Sequence, residues 1–257
     1  MSGEDGASTL VRVAGLRTVF GSRVIHDGLD LDVRRGEILG VVGESGSGKS
    51  VLLNTILGLK RPDAGTITVL GHDVLDPDRQ ADIERRIGVM FQQGALFSAL
   101  SVQENVEAPF LEHARLPMNF VHSMAALKIK LVGLPDQVGA QMPAELSGGM
   151  RKRAGIARAI ALDPELLFLD EPTSGLDPIG ADALDGLVRD LRDALGLTVF
   201  MITHDLDTLY TICDRVAVLA DRRVIALAPL AEVQNSQHPW IKAYFQGPRG
   251  RAVRERH

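Results

Sequence analysis

With 257 residues, 45% hydrophobic and 24% charged, the chain has room for one large α/β domain or a domain with an inserted lobe, and its composition excludes disordered and collagen-like classes. A formal charge of −5 gives no electrostatic case for binding nucleic acid along an extended face, and a single cysteine, Cys213, excludes an intrachain disulfide. No run reaches the roughly 18 apolar residues of a membrane span, and the first eight residues are small and acidic, so neither a membrane crossing nor a secretion signal is expected and a cytosolic location is the default.

The first patterned segment is Leu29-Asp30-Leu31-Asp32-Val33, which alternates apolar and acidic residues as a strand with one wet face does, and Gly36 then marks a turn. The runs 38–42, 87–91, 166–169 and 199–202 are short and nearly continuous in hydrophobicity. Strands buried on both faces of a parallel sheet read this way, with helical segments between them. Between Gln92 and Leu162 the strand signal fades, and the Ala-, Leu-, Lys- and Arg-rich runs 121–132 and 150–162 read as helices. The expected organisation is a core over about 8–92 and 163–228, a helical lobe over about 93–162 and a tail over 229–257. Cys213 follows Leu209-Tyr210-Thr211-Ile212 and reads as a packed apolar position. A final pair of runs, 216–219 and 224–227 around Asp221-Arg222-Arg223, suggests a hairpin.

Gly43-Glu44-Ser45-Gly46-Ser47-Gly48-Lys49-Ser50 fits the phosphate-binding P-loop pattern, between a predicted strand at 38–42 and a predicted helix at 51–59. Its glycines let backbone N–H groups turn inward as a nest for phosphates, and the helix start near Lys49 adds partial positive charge. Lys49 is placed to bridge the phosphates of a bound nucleotide and the Ser50 hydroxyl to ligate Mg²⁺.

Kinases, GTPases, helicases and transporters share that loop, so other residues must discriminate. Leu166-Leu167-Phe168-Leu169 carries a strand through the core to Asp170-Glu171. Neighbouring strand residues face opposite sides, so the two carboxylates divide the work. Asp170 is expected to hold Mg²⁺ directly or through water, and Glu171 to orient and deprotonate an attacking water. Leu146-Ser147-Gly148-Gly149-Met150 opens the helix at 151–162, and Asp163-Pro164 then turns into the carboxylate strand. With this third motif the chain resembles the ATP-binding subunits of ABC transporters.

The resemblance spans roughly residues 10–227. It implies an α/β fold, namely a RecA-like P-loop NTPase core with a parallel sheet, an antiparallel β subdomain and an inserted helical lobe. It also implies ATP and Mg²⁺ as ligands and a head-to-tail homodimer with two ATP molecules between the subunits. Ser147, Gly148 and Gly149 would then meet the γ-phosphate held by the opposite subunit; read alone, Ser147 is a plain helix N-cap. Phe20 lies where the family places an aromatic on adenine, with a core Phe as the alternative. Gln92 resembles the glutamine that senses Mg²⁺ and the permease, Ser174-Gly175-Leu176-Asp177 the interface-crossing D-loop, and His204 the histidine that contacts the γ-phosphate.

Met150 departs from the Gln common at that position, and with Gln92-Gln93-Gly94-Ala95-Leu96-Phe97 and Asp177-Pro178-Ile179 it resembles the Mla/Mce group. That resemblance implies phospholipid movement powered through an integral-membrane permease, an Mce-domain substrate-binding protein as a further partner, no nucleic acid, and a peripheral position on the cytoplasmic face of the inner membrane. The segment 94–116, with Leu96, Phe97 and Leu100, is the candidate surface for the permease. Pro239-Trp240-Ile241-Lys242-Ala243-Tyr244-Phe245 is similar to the same group; it either packs on its own domain or touches the partner subunit. The basic end 249–256 reads as a solvated tail. The rivals are an ABC importer or exporter of another solute, a non-transport ABC ATPase, and a P-loop kinase, which would have no use for Ser147-Gly148-Gly149.

Overall fold

The computed structural model describes residues 9–92, 96–247, 250 and 253. The acidic start, Gln93-Gly94-Ala95 and the tail residues Arg249, Arg251, Arg254 and Arg256 lie outside the described residues. The chain divides into two compact units, Met1–Ile83 with Thr198–His257, and Glu84–Leu197.

The first unit holds two sheets. In one, β1 (Thr9–Phe20) pairs antiparallel with β2 (Arg23–Arg34) and with β4 (Ala64–Val69), and β5 (His72–Asp73) follows at the edge. The alternation seen at 29–33 is realised: Leu29, Leu31 and Val33 are buried while Asp30 faces out. In the other, β3 (Ile38–Gly43) lies parallel between β8 (Thr198–Ile202) and β9 (Arg215–Ala220), and β10 (Arg223–Ala228) returns antiparallel on β9. Every residue of β8, and of β3 except Gly43, is buried, which is why these strands lack a polar phase in the sequence. The predicted hairpin turns at Asp221 and Arg222, both at positive φ (48° and 65°). Arg215 Nη1 donates to Asp32 Oδ2 (3.0 Å) and Glu37 Oε1 (3.2 Å), tying β9 to β2 and to the entry of β3.

Helix α1 (Lys49–Ile56) follows β3, and α2 (Pro77–Arg86) follows β5. Helices α7 (Leu206–Ile212), α8 (Leu230–Val233) and α9 (Pro239–Gln246) belong to the same unit as β3. Gly40 has no room for a side chain, since a Cβ there would stand 2.7 Å from Leu209 Cδ2 and 2.8 Å from Cys213 Sγ. Cys213 is thus packed against β3, as its apolar setting predicts. Ile241 and Phe245 of α9 bury against Val42, Leu209 and Val218, so this helix packs on its own domain.

In the second unit β6 (Ile87–Met90) pairs in parallel with β7 (Leu166–Asp170). Between them come α3 (Val102–His113), α4 (Met118–Leu131), two short 3-10 turns and α5 (Gly148–Ala159), and after β7 comes α6 (Pro178–Leu195). The lobe predicted over 93–162 is helical, and this unit also includes β6, β7 and α6. Val121, Ala125, Lys128 and Ile129 form the buried stripe of α4 at helical spacing. A capping box of Ser101 and Glu104 starts α3. Buried Asn105 shapes the loop before it, accepting from the Phe97 N–H (2.7 Å) and donating to the carbonyls of Phe97, Leu100 and Ser101 (3.1, 3.0 and 2.9 Å).

Candidate functional site

In the first unit, β3 delivers the chain to Gly43 and the loop Glu44-Ser45-Gly46-Ser47-Gly48 turns it into α1. Gly46 and Gly48 take φ of 78° and 102°, which backbones with a Cβ rarely adopt. Lys49 arches back, its Nζ donating to the carbonyls of Gly43 (2.8 Å) and Glu44 (3.0 Å). The start of α1 has neither a side-chain cap nor an acidic residue in its first turn. An uncapped helix start, a lysine and two left-handed glycines suit an anion, and the Ser47 hydroxyl is buried with no hydrogen-bond partner among the described residues. Ser50 is exposed on the first turn of α1.

Phe20 ends β1 with 54% of its surface exposed and Lys60 Nζ 4.7 Å from its ring centroid, so the core alternative does not hold. His204 lies two residues past the end of β8, and its carbonyl accepts from the Tyr244 hydroxyl (3.0 Å). Beneath the loop lies His26, fully buried, its Nδ1 2.8 Å from Thr18 Oγ1. A Cβ on Gly48 would sit 2.6 Å from His26 Nε2. Burial pushes the His26 imidazole down to about 4; the Gly48 backbone opposes this and the Lys60 charge adds to it.

In the second unit β7 ends at Asp170, and Glu171 leaves the strand with φ 49°. The alternation of strand faces therefore does not separate the two carboxylates; a left-handed turn at Glu171 does. Such a residue costs roughly 1–2 kcal/mol when it carries a Cβ. Its carbonyl accepts from Lys152 Nζ (3.0 Å), Ser174 Oγ (2.8 Å) and Ser174 N–H (3.2 Å), three donors that hold the turn. The Gln92 amide donates to Glu171 Oε2 (3.3 Å), joining two residues 79 positions apart that were predicted separately. Burial lowers the Lys152 ammonium, and the charges of Glu171 and Asp170 pull it back up.

Ser147 caps α5, its Oγ accepting from Met150 N–H (3.2 Å), and Ser147 and Gly148 are exposed. The first turn of α5 carries no acidic residue. Asp177 caps α6 through Gly180 N–H (2.9 Å), with Gly175 at φ 78° in the turn before it. Thus Phe20, the loop 43–50 and His204 belong to the first unit, and Gln92, Ser147, Gly148, Gly149, Asp170 and Glu171 to the second. Lys152, Ser174, His26 and Tyr244 were not foreseen.

The sequence model for ABC transporters matches residues 26–174, from β2 through the phosphate loop and the Ser147-Gly148-Gly149 turn to Ser174. The chain belongs to the ABC transporter family. Among ABC proteins it is 39% identical over 247 residues to the intermembrane phospholipid transport system ATP-binding protein MlaF of Haemophilus influenzae, covering 95% of this chain and 93% of that one. It is also 39% identical over 243 residues to the methionine import ATP-binding protein MetN of Brucella abortus, covering 93% of this chain and 65% of that one. The ABC cassette MJ0796, solved as a dimer in a post-hydrolysis state bound to ADP and Pi, superposes with a TM-score of 0.77 at 30% identity, over 86% of this chain and 98% of that one. Among the described residues no cluster of three His, Cys, Asp or Glu could hold a metal by itself, and no helix is long and apolar enough to cross a membrane.

Proposed function

We propose that the chain is the ATP-hydrolysing subunit of an ABC transporter that moves phospholipid through a permease partner, working as a homodimer on the cytoplasmic face of the membrane. The observation that supports hydrolysis is the pinned Glu171: a carboxylate carried out of the strand by a left-handed turn, with Gln92 bonded to it. The match over nearly the full length of MlaF supports phospholipid as cargo.

In this reading the loop 43–50 and Lys49 bind the nucleotide phosphates, and Phe20 stacks on adenine. Lys49, already bonded to two loop carbonyls, trades those partners for phosphate oxygens. Glu171 takes the proton of the attacking water, and Gln92 fixes the direction of that carboxylate. His204 donates toward the γ-phosphate, while Ser147, Gly148 and Gly149 of the second copy close the site with an exposed helix N-terminus. Ser50, Gln92 and Asp170 would hold Mg²⁺, which when bound neutralises charge on the β- and γ-phosphates. Hydroxyl, amide and a single carboxylate suit an ion that draws its remaining ligands from phosphates and water.

The permease surface lies beside Phe97, which is 53% exposed with the Arg158 guanidinium 4.8 Å from its ring centroid. Leu96 and Leu100, expected to be exposed with it, are half-buried. A groove lined by Phe97, Gly88, Pro109, Glu112 and Arg158 adjoins it. The equal identity to a methionine importer favours a second reading, the same motor serving another solute. Purification of the chain with its membrane partners, followed by lipid analysis and subunit identification, separates the two. A permease with an Mce-domain protein and bound phospholipid supports the first reading; a permease with a soluble solute-binding protein supports the second.

A further inference from the structure

Helix α9 is held at several points on the first unit. Ile241 and Phe245 are 0% and 2% exposed, packed with Val42, Leu206, Leu209, Val216 and Val218. The Trp240 and Tyr244 rings stack at 4.7 Å, and Phe245 meets Tyr244 edge-on at 4.9 Å, so the phenol is gripped from two sides. At the helix start His238 Nδ1 accepts from Trp240 N–H (3.3 Å), which leaves Nε2 to donate to Asp221 Oδ2 (3.2 Å) on the β9–β10 turn.

This clamped ring points its hydroxyl at one peptide. The carbonyl of His204 accepts from Tyr244 (3.0 Å), and the N–H of that same peptide, on Asp205, donates to Oγ1 of buried Thr203 (3.0 Å). The peptide that follows His204 is thereby fixed at both polar ends, just before Asp205 caps α7 through Asp207 N–H (3.0 Å). We infer that Tyr244 is a positioning residue for ATP hydrolysis: its hydroxyl fixes the 204–205 peptide and so the direction from which the His204 side chain meets the γ-phosphate. The inference rests on the proposed role of His204. Burial, with the charges of Asp205 and Cys213 adding, raises the phenol above its ordinary value, so it remains a donor throughout the working pH range. A C-terminal helix some 40 residues along the chain thus sets the turnover of the nucleotide site without touching the nucleotide.

Tyr244→Phe removes one hydroxyl and keeps the ring contacts. In the chain purified with its partner subunits, kcat is expected to fall roughly 3- to 10-fold, the range of one ordinary hydrogen bond, with KM for ATP unchanged and the loss persisting well below the melting temperature of the variant. His204→Ala is measured alongside. If it abolishes turnover while Tyr244→Phe matches the unaltered chain, the inference is overturned and the role of His204 stands. If His204→Ala hydrolyses ATP normally, the role of His204 fails first and the inference with it. A Tyr244→Phe chain whose kcat loss disappears at a lower assay temperature, where both proteins are fully folded, overturns the inference in favour of plain packing.

Discussion

Buried His26 makes stability depend on pH in a way that can be worked out from its surroundings. It is fully buried beneath the phosphate loop, with Thr18, Ile25 and Gly48 against it and Lys60 contributing positive field, and its imidazole is depressed from 6.5 to about 4. The native state keeps the ring neutral while the unfolded chain protonates it below about 6.5. The stabilisation is therefore complete above that pH and is lost as the pH falls toward 4, at about 1.4 kcal/mol per unit. Between pH 7.5 and 5 the loss through this one group is about 2 kcal/mol. The assay is urea unfolding of the chain and of His26→Asn across that range. Carboxylates elsewhere titrate equally in both proteins, so the difference between the two curves isolates His26. The Asn chain should lose about 2 kcal/mol less on acidification. Parallel curves would mean that burial does not depress the His26 imidazole in the folded chain.

Two further predictions concern hydrolysis. Glu171→Gln keeps the left-handed turn and the bond to Gln92 within reach but removes the proposed base, so single-turnover hydrolysis should fall by about 10²-fold or more with Mg-ATP affinity intact; an equal loss of affinity would contradict this. Lys152→Met removes the cation that holds the Glu171 carbonyl and Ser174 Oγ (3.0 and 3.3 Å). It should slow hydrolysis at least tenfold and lower unfolding free energy by about 1–3 kcal/mol in urea titrations, again with ATP affinity unchanged.

The strands of the parallel core were legible because burial on both faces leaves a continuous apolar run, as in β3 and β8. β1 and β4 were less so: Thr9–Phe20 is interrupted by Gly15 and by bulges in its pairing with β2, which break the two-residue phase. The phosphate loop, Asp170-Glu171 and Ser147-Gly148-Gly149 were readable because each motif is contiguous. The residues that orient them are not. Lys152 stands in the run Arg151-Lys152-Arg153, of which it alone is buried. Its phase with buried Ile156, four residues on, was the available signal. Tyr244 and His26 reach their targets across sheet packing that no local pattern records. The left-handed Glu171 was hidden because a carboxylate at a strand end carries no mark of its φ.

Sedimentation of the Glu171→Gln chain with and without Mg-ATP shows whether two copies of this chain complete each ATP site. A monomer that ATP converts to a dimer holding two nucleotides is expected, and no such dimer when Ser147→Arg is added. A chain that binds ATP yet stays monomeric at every concentration, or dimerises regardless of ATP and of Ser147, would contradict completion of the site by a second copy.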